Sequence, residues 1–320
     1  MGAARHSRDL LDNGPAVGCL VARGKGALDA LIALSAVFVP VGIHAAPLRP
    51  APFAMHQAQC SGKEGWSDSA PPVRIFGDTY DVGTCGITVV LVAGDHGAVL
   101  IDGGPAAAAP LVVANIERLG LKLSDVKLIL STHEHGDHAG GLAELRRRTG
   151  ATTAARAAER VSLESGVMAA DDPQRDNGMS KFPGVPVDRV LLYGKVVRLG
   201  TLRLTAHATP GHAPGGTSWT WRSCEANVCH AIAYADSLSA VSIQGYRFSD
   251  HPARIAALRA SFATVAALHC DTVVTPHPEA SDLYTRLAGQ APLVDPHGCE
   301  RLAAASAAKL DERLRAEARR

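Results

Sequence analysis

From Arg74 onward the chain alternates short apolar runs with turn residues. The runs from Ile87 to Val92 and from Ala98 to Ile101, split by Gly94-Asp95-His96-Gly97, predict a β-hairpin. Leu111 to Leu119 reads as a helix stopped by Gly120, and Gly141 to Arg148 as a helix with a basic outer face. Between them Val126 to Leu130 is an apolar run broken only by Lys127, and reads as a strand buried on both faces. After Gly150 the order repeats loosely: a strand, a helix, then strands at Val196 to Leu199 and Arg203 to His207. Trp219 to Arg222 and His230 to Tyr234 read as a second hairpin. Pro252 to Leu268 is the clearest helix, with Ile255, Leu258, Phe262, Val265 and Leu268 on one stripe. Thr272 to Val274 predicts a strand, and a charged, Ala-rich helix runs from about Arg301 to the end. Two strand-rich halves, each flanked by helices, predict an α/β layered fold. The segment from Glu164 to Val187 lacks periodicity. A loop of that length either overhangs a site or decorates the surface.

The first 45 residues follow another pattern. Arg5, Arg8, Arg23 and Lys25 precede an apolar stretch from Ala27 to Ile43, and Ile43-His44-Ala45 offers a small-residue cleavage site. That order reads as a secretory signal and N-terminal extension, leaving 46–320 as the mature domain in the periplasm. The long basic stretch before the apolar run allows a start downstream of Met1. A membrane anchor is the competing reading, but Asp29 interrupts the run and the run is short for a span. Lys and Arg number 32 against 31 Asp and Glu, so no basic excess points to nucleic acid. No association with the membrane is expected after cleavage, and a monomer is expected.

Export alters the reading of the cysteines. Cys19 would leave with the leader, and Cys60, Cys85, Cys224, Cys229, Cys270 and Cys299 remain. An even set in an exported chain suggests disulfides, in any of many pairings. Cys224 and Cys229 flank a short hairpin loop and favour a local bridge. Cys270 and Cys299 sit at helix ends that could be clamped, which leaves Cys60 with Cys85. A zinc-thiolate site is disfavoured because no CxxC pair occurs.

The candidate chemistry is concentrated after the buried strand, in His133-Glu134-His135-Gly136-Asp137-His138. Imidazole and carboxylate at this density suit zinc. In a loop, alternate side chains can converge, so His133 and His135 share one ion while Asp137 and His138 turn toward a second. His212, in Thr209-Pro210-Gly211-His212, and His277, in Thr275-Pro276-His277-Pro278, also follow strands. They complete two sets of three with room for water, which is catalytic rather than structural coordination.

These features resemble the metallo-β-lactamase superfamily: the H-x-H-x-D-H run, the Ile101-Asp102-Gly103-Gly104 turn and the later isolated histidines. The resemblance covers Arg74 to the C-terminus and implies an αββα sandwich, two mixed β-sheets flanked by helices with the metals at one edge. The superfamily includes thioesterases, lactonases, nucleases and lactamases, so the run does not settle the reaction. Val82-Gly83-Thr84-Cys85-Gly86-Ile87, Gly215-Gly216-Thr217-Ser218-Trp219 and Tyr234-Ala235-Asp236-Ser237-Leu238-Ser239 are similar to subclass B3. So is the cysteine set, which resembles that of exported members with three disulfides. Subclass B1 would place a cysteine at Ser237.

The resemblance implies two Zn2+ per subunit, the first on His133, His135 and His212, the second on Asp137, His138 and His277. It implies hydrolysis of a β-lactam amide by a metal-bound hydroxide, conferring antibiotic resistance. Asp137 would both ligate and orient the nucleophile, while Ser237 and Ser239 would hold the substrate carboxylate. Asp102 is expected to be structural, fixing its loop through backbone and histidine hydrogen bonds. Asp236, which bridges the metals in thioesterase and lactonase relatives, is expected not to ligate. Residues near Gln174 and Phe182 are expected to contact substrate side groups. Another di-zinc hydrolase, a lactonase or thioesterase, is the alternative activity, and a zinc-stabilised binding protein is the alternative of another class.

Overall fold

The computed structural model describes residues 48–319 except Glu64 and Tyr193, so the readings of the leader lie outside the described residues. In chain order the strands are β1 Val73–Phe76, β2 Thr79–Asp81, β3 Val90–Gly94, β4 Gly97–Ile101, β5 Val126–Leu130 and β6 Thr152–Arg156. They continue with β7 Arg189–Leu191, β8 Val196–Leu199, β9 Leu202–Ala208, β10 Thr217–Glu225, β11 Val228–Tyr234 and β12 Thr272–Val274. The helices are α1 Phe53–Cys60, α2 Ala109–Arg118, α3 Gly136–Ala139, α4 Leu142–Thr149, α5 Ala157–Ser165, α6 Pro252–Ala266, α7 Leu283–Leu287 and α8 Gly298–Ala318.

Strands β1 to β7 form one sheet in sequence order, antiparallel as far as β4 and parallel from there. The second sheet has the order β12-β11-β10-β9-β8, with only β11 and β12 parallel among its pairs. Alternation along each strand decides the layers. Val90, Val92, Val99, Ile101, Leu128 and Leu130 face the second sheet and meet Trp219, Ile232, Tyr234 and Val274. Their neighbours Leu91, Leu100 and Ile129 face the other way, onto Val112 and Ile116 of α2 and Leu142 and Leu145 of α4. On the far side, Ala233 and Val273 pack against Leu258, Phe262 and Val265 of α6 and Ala303 and Leu310 of α8. The result is the expected αββα sandwich. Strands buried on both faces must be apolar throughout, which is why Val126–Leu130 showed no polar alternation beyond Lys127.

Three disulfides join Cys60 to Cys85, Cys224 to Cys229 and Cys270 to Cys299, the expected pairs. Cys224 and Cys229 are register partners across the β10–β11 hairpin. Boundaries moved modestly. The first hairpin begins at Val90 because the backbone of Ile87 to Val89 turns to other partners: the Thr88 N–H donates to Pro276 O. Helix α8 starts at Gly298, ahead of the expected Arg301, and so includes Cys299.

The end of α8 is anchored by Glu317, whose carboxylate accepts from Phe248 N (3.1 Å), Ser249 N (2.8 Å) and Arg313 Nε (2.7 Å). Burial would raise this carboxyl, but those donors outweigh it and hold it at about 2, against an ordinary 4.5. The stability it contributes is therefore complete above pH 4.5 and lost as the pH falls toward 2. Glu317→Gln should flatten the pH dependence of urea unfolding across that window; superimposable profiles for the two proteins would contradict this anchor.

Candidate metal centre

Strand β5 delivers the chain at Ser131 into a loop gripped from both sheets. Ser131 O accepts from Trp219 Nε1 (2.9 Å) and Thr132 O from Thr217 N (2.7 Å), both on β10. From the first sheet, Asp102 accepts from Thr132 N (2.7 Å) and Thr132 Oγ1 (2.9 Å). Tyr234 shares its hydroxyl proton between Asp102 Oδ2 (2.9 Å) and Thr88 O (2.8 Å). Asp102 is thus structural, as expected, but its partners are a threonine and a tyrosine, not a histidine. Burial raises its carboxyl. The turn after Asp102 interlocks with the start of α4. Gly103 N donates to His138 O, Gly141 N donates to Gly104 O, and a Cβ on Gly141 would stand 2.2 Å from Gly103 O. Only glycine allows that approach, which seats His138.

The side chains along the run part as the alternation predicts. Glu134 turns away and accepts from Gly215 N (2.9 Å), while the histidines gather. His133, His135 and His212 form one triad with ring centroids 4.6, 4.8 and 4.9 Å apart. Asp137 Oδ2, His138 Nε2 and His277 Nε2 form another, at 3.1 Å for Asp137 to His138 and 3.3 Å for the two contacts of His277. Ligand atoms at about 2.0–2.1 Å from a tetrahedral ion stand about 3.3 Å apart, so this donor set fits one. His133 Nε2 is buried with no partner among the described residues, as a nitrogen reserved for an ion would be. Two groups could hold a metal ion: His133 with His135 and His212, and His133 with Asp137 and His138.

The environment holds His133, His212 and Asp137 in binding-competent states. For His135 and His277 burial is outweighed by the carboxylates of Asp172 and Asp137, which raise both rings above 6.5, so each sheds its extra proton when it binds an ion. Burial and neighbouring imidazoles push His133 well below 6.5, and burial with His135 lowers His212 to about 3, so both keep free lone pairs. Burial would raise Asp137, but His138 and His277 overcome it and hold the carboxylate ionised. Each histidine of the first triad is oriented from behind. His133 Nδ1 donates to Asp236 Oδ1 (2.7 Å), His135 Nε2 to Asp172 Oδ2 (2.9 Å) and His212 Nδ1 to Ser239 O (3.0 Å). Asp236 therefore lies on the side of the ring away from Nε2.

With this geometry in view, comparison with known proteins decides the family. Residues 82–225 match Lactamase_B, described as "Metallo-beta-lactamase superfamily". The structure superposes on the metallo-β-lactamase MIM-1 from Novosphingobium pentaromativorans with a TM-score of 0.80 and 51% identity, covering 83% of this chain and 98% of that one. The chain belongs to the metallo-β-lactamase superfamily. Another solved member, MEM-A1, a subclass B3 metallo-β-lactamase from a soil metagenome library, is 44% identical with a TM-score of 0.74, covering 79% of this chain and 99% of that one. Among curated sequences, the hydroxyacylglutathione hydrolase of Anaeromyxobacter dehalogenans is 30% identical over 170 residues, 53% of this chain and 52% of that one. The chain spans about half the length of that relative, and 31–41% of two others of the same name.

The centre opens into a cleft of about 480 Å³. Ser237, Ser239 and Gln174 line it, as the sequence suggested; Phe182 does not, and packs instead against the core beneath α5. The irregular segment after α5 thus overhangs the centre, with Gln174 Nε2 3.3 Å from His212 Nε2 and 3.4 Å from His135 Nδ1. Sequence reasoning missed three residues at or behind this cleft. Trp66, 5.5 Å from the His277 ring, is held in the segment closed by the Cys60–Cys85 bridge. Asp172 carried no signal in an aperiodic stretch, and Lys309 lines the cleft from a helix whose composition pointed nowhere. Tyr234→Phe should test the support of the loop: it leaves Asp102 one donor short and should cost about 1–3 kcal/mol in urea unfolding. An unchanged midpoint would mean that Tyr234 adds nothing to the grip on Thr132.

Proposed function

We propose that this protein is an exported di-zinc β-lactamase of subclass B3, with residues 1–45 as its cleaved leader, acting on β-lactams from the periplasm. The observation that carries the reading is the 51% identity to MIM-1 across nearly all of that lactamase, taken with the clustering of His133, His135 and His212 and of Asp137, His138 and His277. His133, His135 and His212 would hold the first zinc, and Asp137, His138 and His277 the second. Bound there, the two ions would supply Lewis acidity, lowering the pKa of water toward neutrality and polarising a carbonyl oxygen.

This chain's own residues supply the remaining parts of the reaction. Asp137 stays ionised in its site and faces the cleft, so it can accept a hydrogen bond from a water and orient it. Ser237 and Ser239 stand on the cleft wall, where their hydroxyls can donate to the carboxylate of a β-lactam. Trp66 and Leu238 give that wall apolar surface for the bicyclic core. Asp236 serves as the support of His133 rather than as a ligand.

A second reading, thioester hydrolysis, has one specific observation in its favour: the names of the curated relatives. It is weakened by their lower identity and partial overlap. The purified mature protein should hydrolyse a carbapenem or a cephalosporin and lose that activity in EDTA. A protein that leaves these drugs intact yet cleaves a hydroxyacylglutathione thioester would reverse the assignment. His138→Ala should bind one metal fewer and lose on the order of 10²–10³-fold in kcat. Full turnover with two metals bound would overturn the ligand scheme.

A further inference from the structure

One helix outside the centre supports two of the three histidines of the first triad. Helix α6 presses Leu258 against Gly211, where a Cβ would stand 2.7 Å from Leu258 Cγ, and Ser261 Oγ donates to Pro210 O (2.6 Å). That fixes the turn carrying His212. From its first turn, Arg254 reaches the other side. Its Nη2 donates to Asp171 O (2.6 Å) and to Asp171 Oδ2 (3.0 Å). Arg254 is nearly buried although Asp171 is 78% exposed, so the cation is the fixed partner and the loop is what it holds.

The next residue is Asp172, fully buried and bonded through Oδ2 to His135 Nε2. Its other oxygen accepts from Gln174 N (2.8 Å), closing a turn that sets the carboxylate plane. No strand or helix holds this stretch, whose ends are α5 and β7. Close to Asp172 the segment is closed on itself by Asp172 N to Ala169 O (3.2 Å) and Arg175 N to Asp172 O (3.1 Å). It is tied to elements outside itself and the triad by Arg254 and by Ile243 N to Pro173 O (3.0 Å). A carboxylate fixed on Nε2–H determines the tautomer of His135 and directs the Nδ1 lone pair into the triad. The second triad has no such link: its groups come from α3 and from the turn after β12, and among the described residues none hydrogen-bonds to the Asp171–Gln174 segment.

Building on the ligand scheme proposed above, we propose that Arg254 is a positioning residue for the first metal site. By clamping Asp171 it holds Asp172 against His135, and so governs the affinity of that site independently of the other.

The test titrates metal-free protein with Co2+, following its visible absorption bands, for wild type, Asp172→Asn, Arg254→Met and Arg254→Lys. Urea unfolding of each metal-free protein separates loss of fold from loss of site. Wild type should take up two ions. Asp172→Asn and Arg254→Met should weaken one binding step by about 10–100-fold, with altered bands for that step and the other unchanged. Arg254→Lys, which keeps a donor near Asp171, should retain most of the affinity. Wild-type affinity in Asp172→Asn overturns the proposal, as does an equal weakening of both steps. If His135→Ala titrates like wild type, the ligand assignment itself fails and this inference with it.

Discussion

The two peptide units at Ser131 and Thr132 are held by both sheets at once, and the site follows from that grip. Strand β5 lies inside the first sheet, yet the carbonyls that end it are bonded to Trp219 and Thr217 of the second. Asp102 completes the clamp from the neighbouring strand. A backbone pinned on two sides cannot slide by a residue, and the alternation of His133, Glu134 and His135 therefore maps onto fixed directions. If the sheets separated at this edge, the histidines would lose their common focus before any of them lost its own contacts.

Behind that edge the protein buries an unusual amount of acid. Asp102, Glu134, Glu159 and Asp236 are all enclosed, and burial raises every one of their carboxyls, Glu134 to about 7, and Glu159 well above 4.5 with the Glu134 charge adding to burial. Such groups are costly in a sandwich core unless they are neutralised or bonded. Asp102 and Glu134 meet backbone donors, Asp236 meets an imidazole, and Arg156 donates to the carbonyls of Gly215 and Gly216 close by. A shell of acid suits a centre built to carry cations. His133 is oriented from here and His135 from Asp172, both from outside the histidine run.

The cleft wall has a different origin from its floor. The floor is the two triads, on turns that follow strands; the wall comes from Trp66, from the segment around Gln174 and from Lys309 on α8. These lie on opposite sides of the chain's middle and meet only because helices and disulfide-closed loops fold over one edge of the sandwich. The floor and the wall can therefore vary separately, which accords with a fold shared by proteins named metallo-β-lactamases and a sequence likeness to others named hydroxyacylglutathione hydrolases.

The sequence by itself determined the layers and the metal-binding run. A strand enclosed by two layers is apolar wherever it is covered, and H-x-H-x-D-H puts several donors at alternate positions that a loop can bring together. Local chemistry was enough for these, and also for the Cys224–Cys229 bridge, whose cysteines close a hairpin. Tertiary structure alone decided the partners across distance: Asp172 with His135, Asp236 with His133, Trp66 beside His277. No period or motif marks an aspartate that acts through an imidazole 37 residues away. Its role exists only once α6 has fixed the loop. For the same reason Phe182, apolar and in the right segment, was misplaced into the cleft when it belonged to the core.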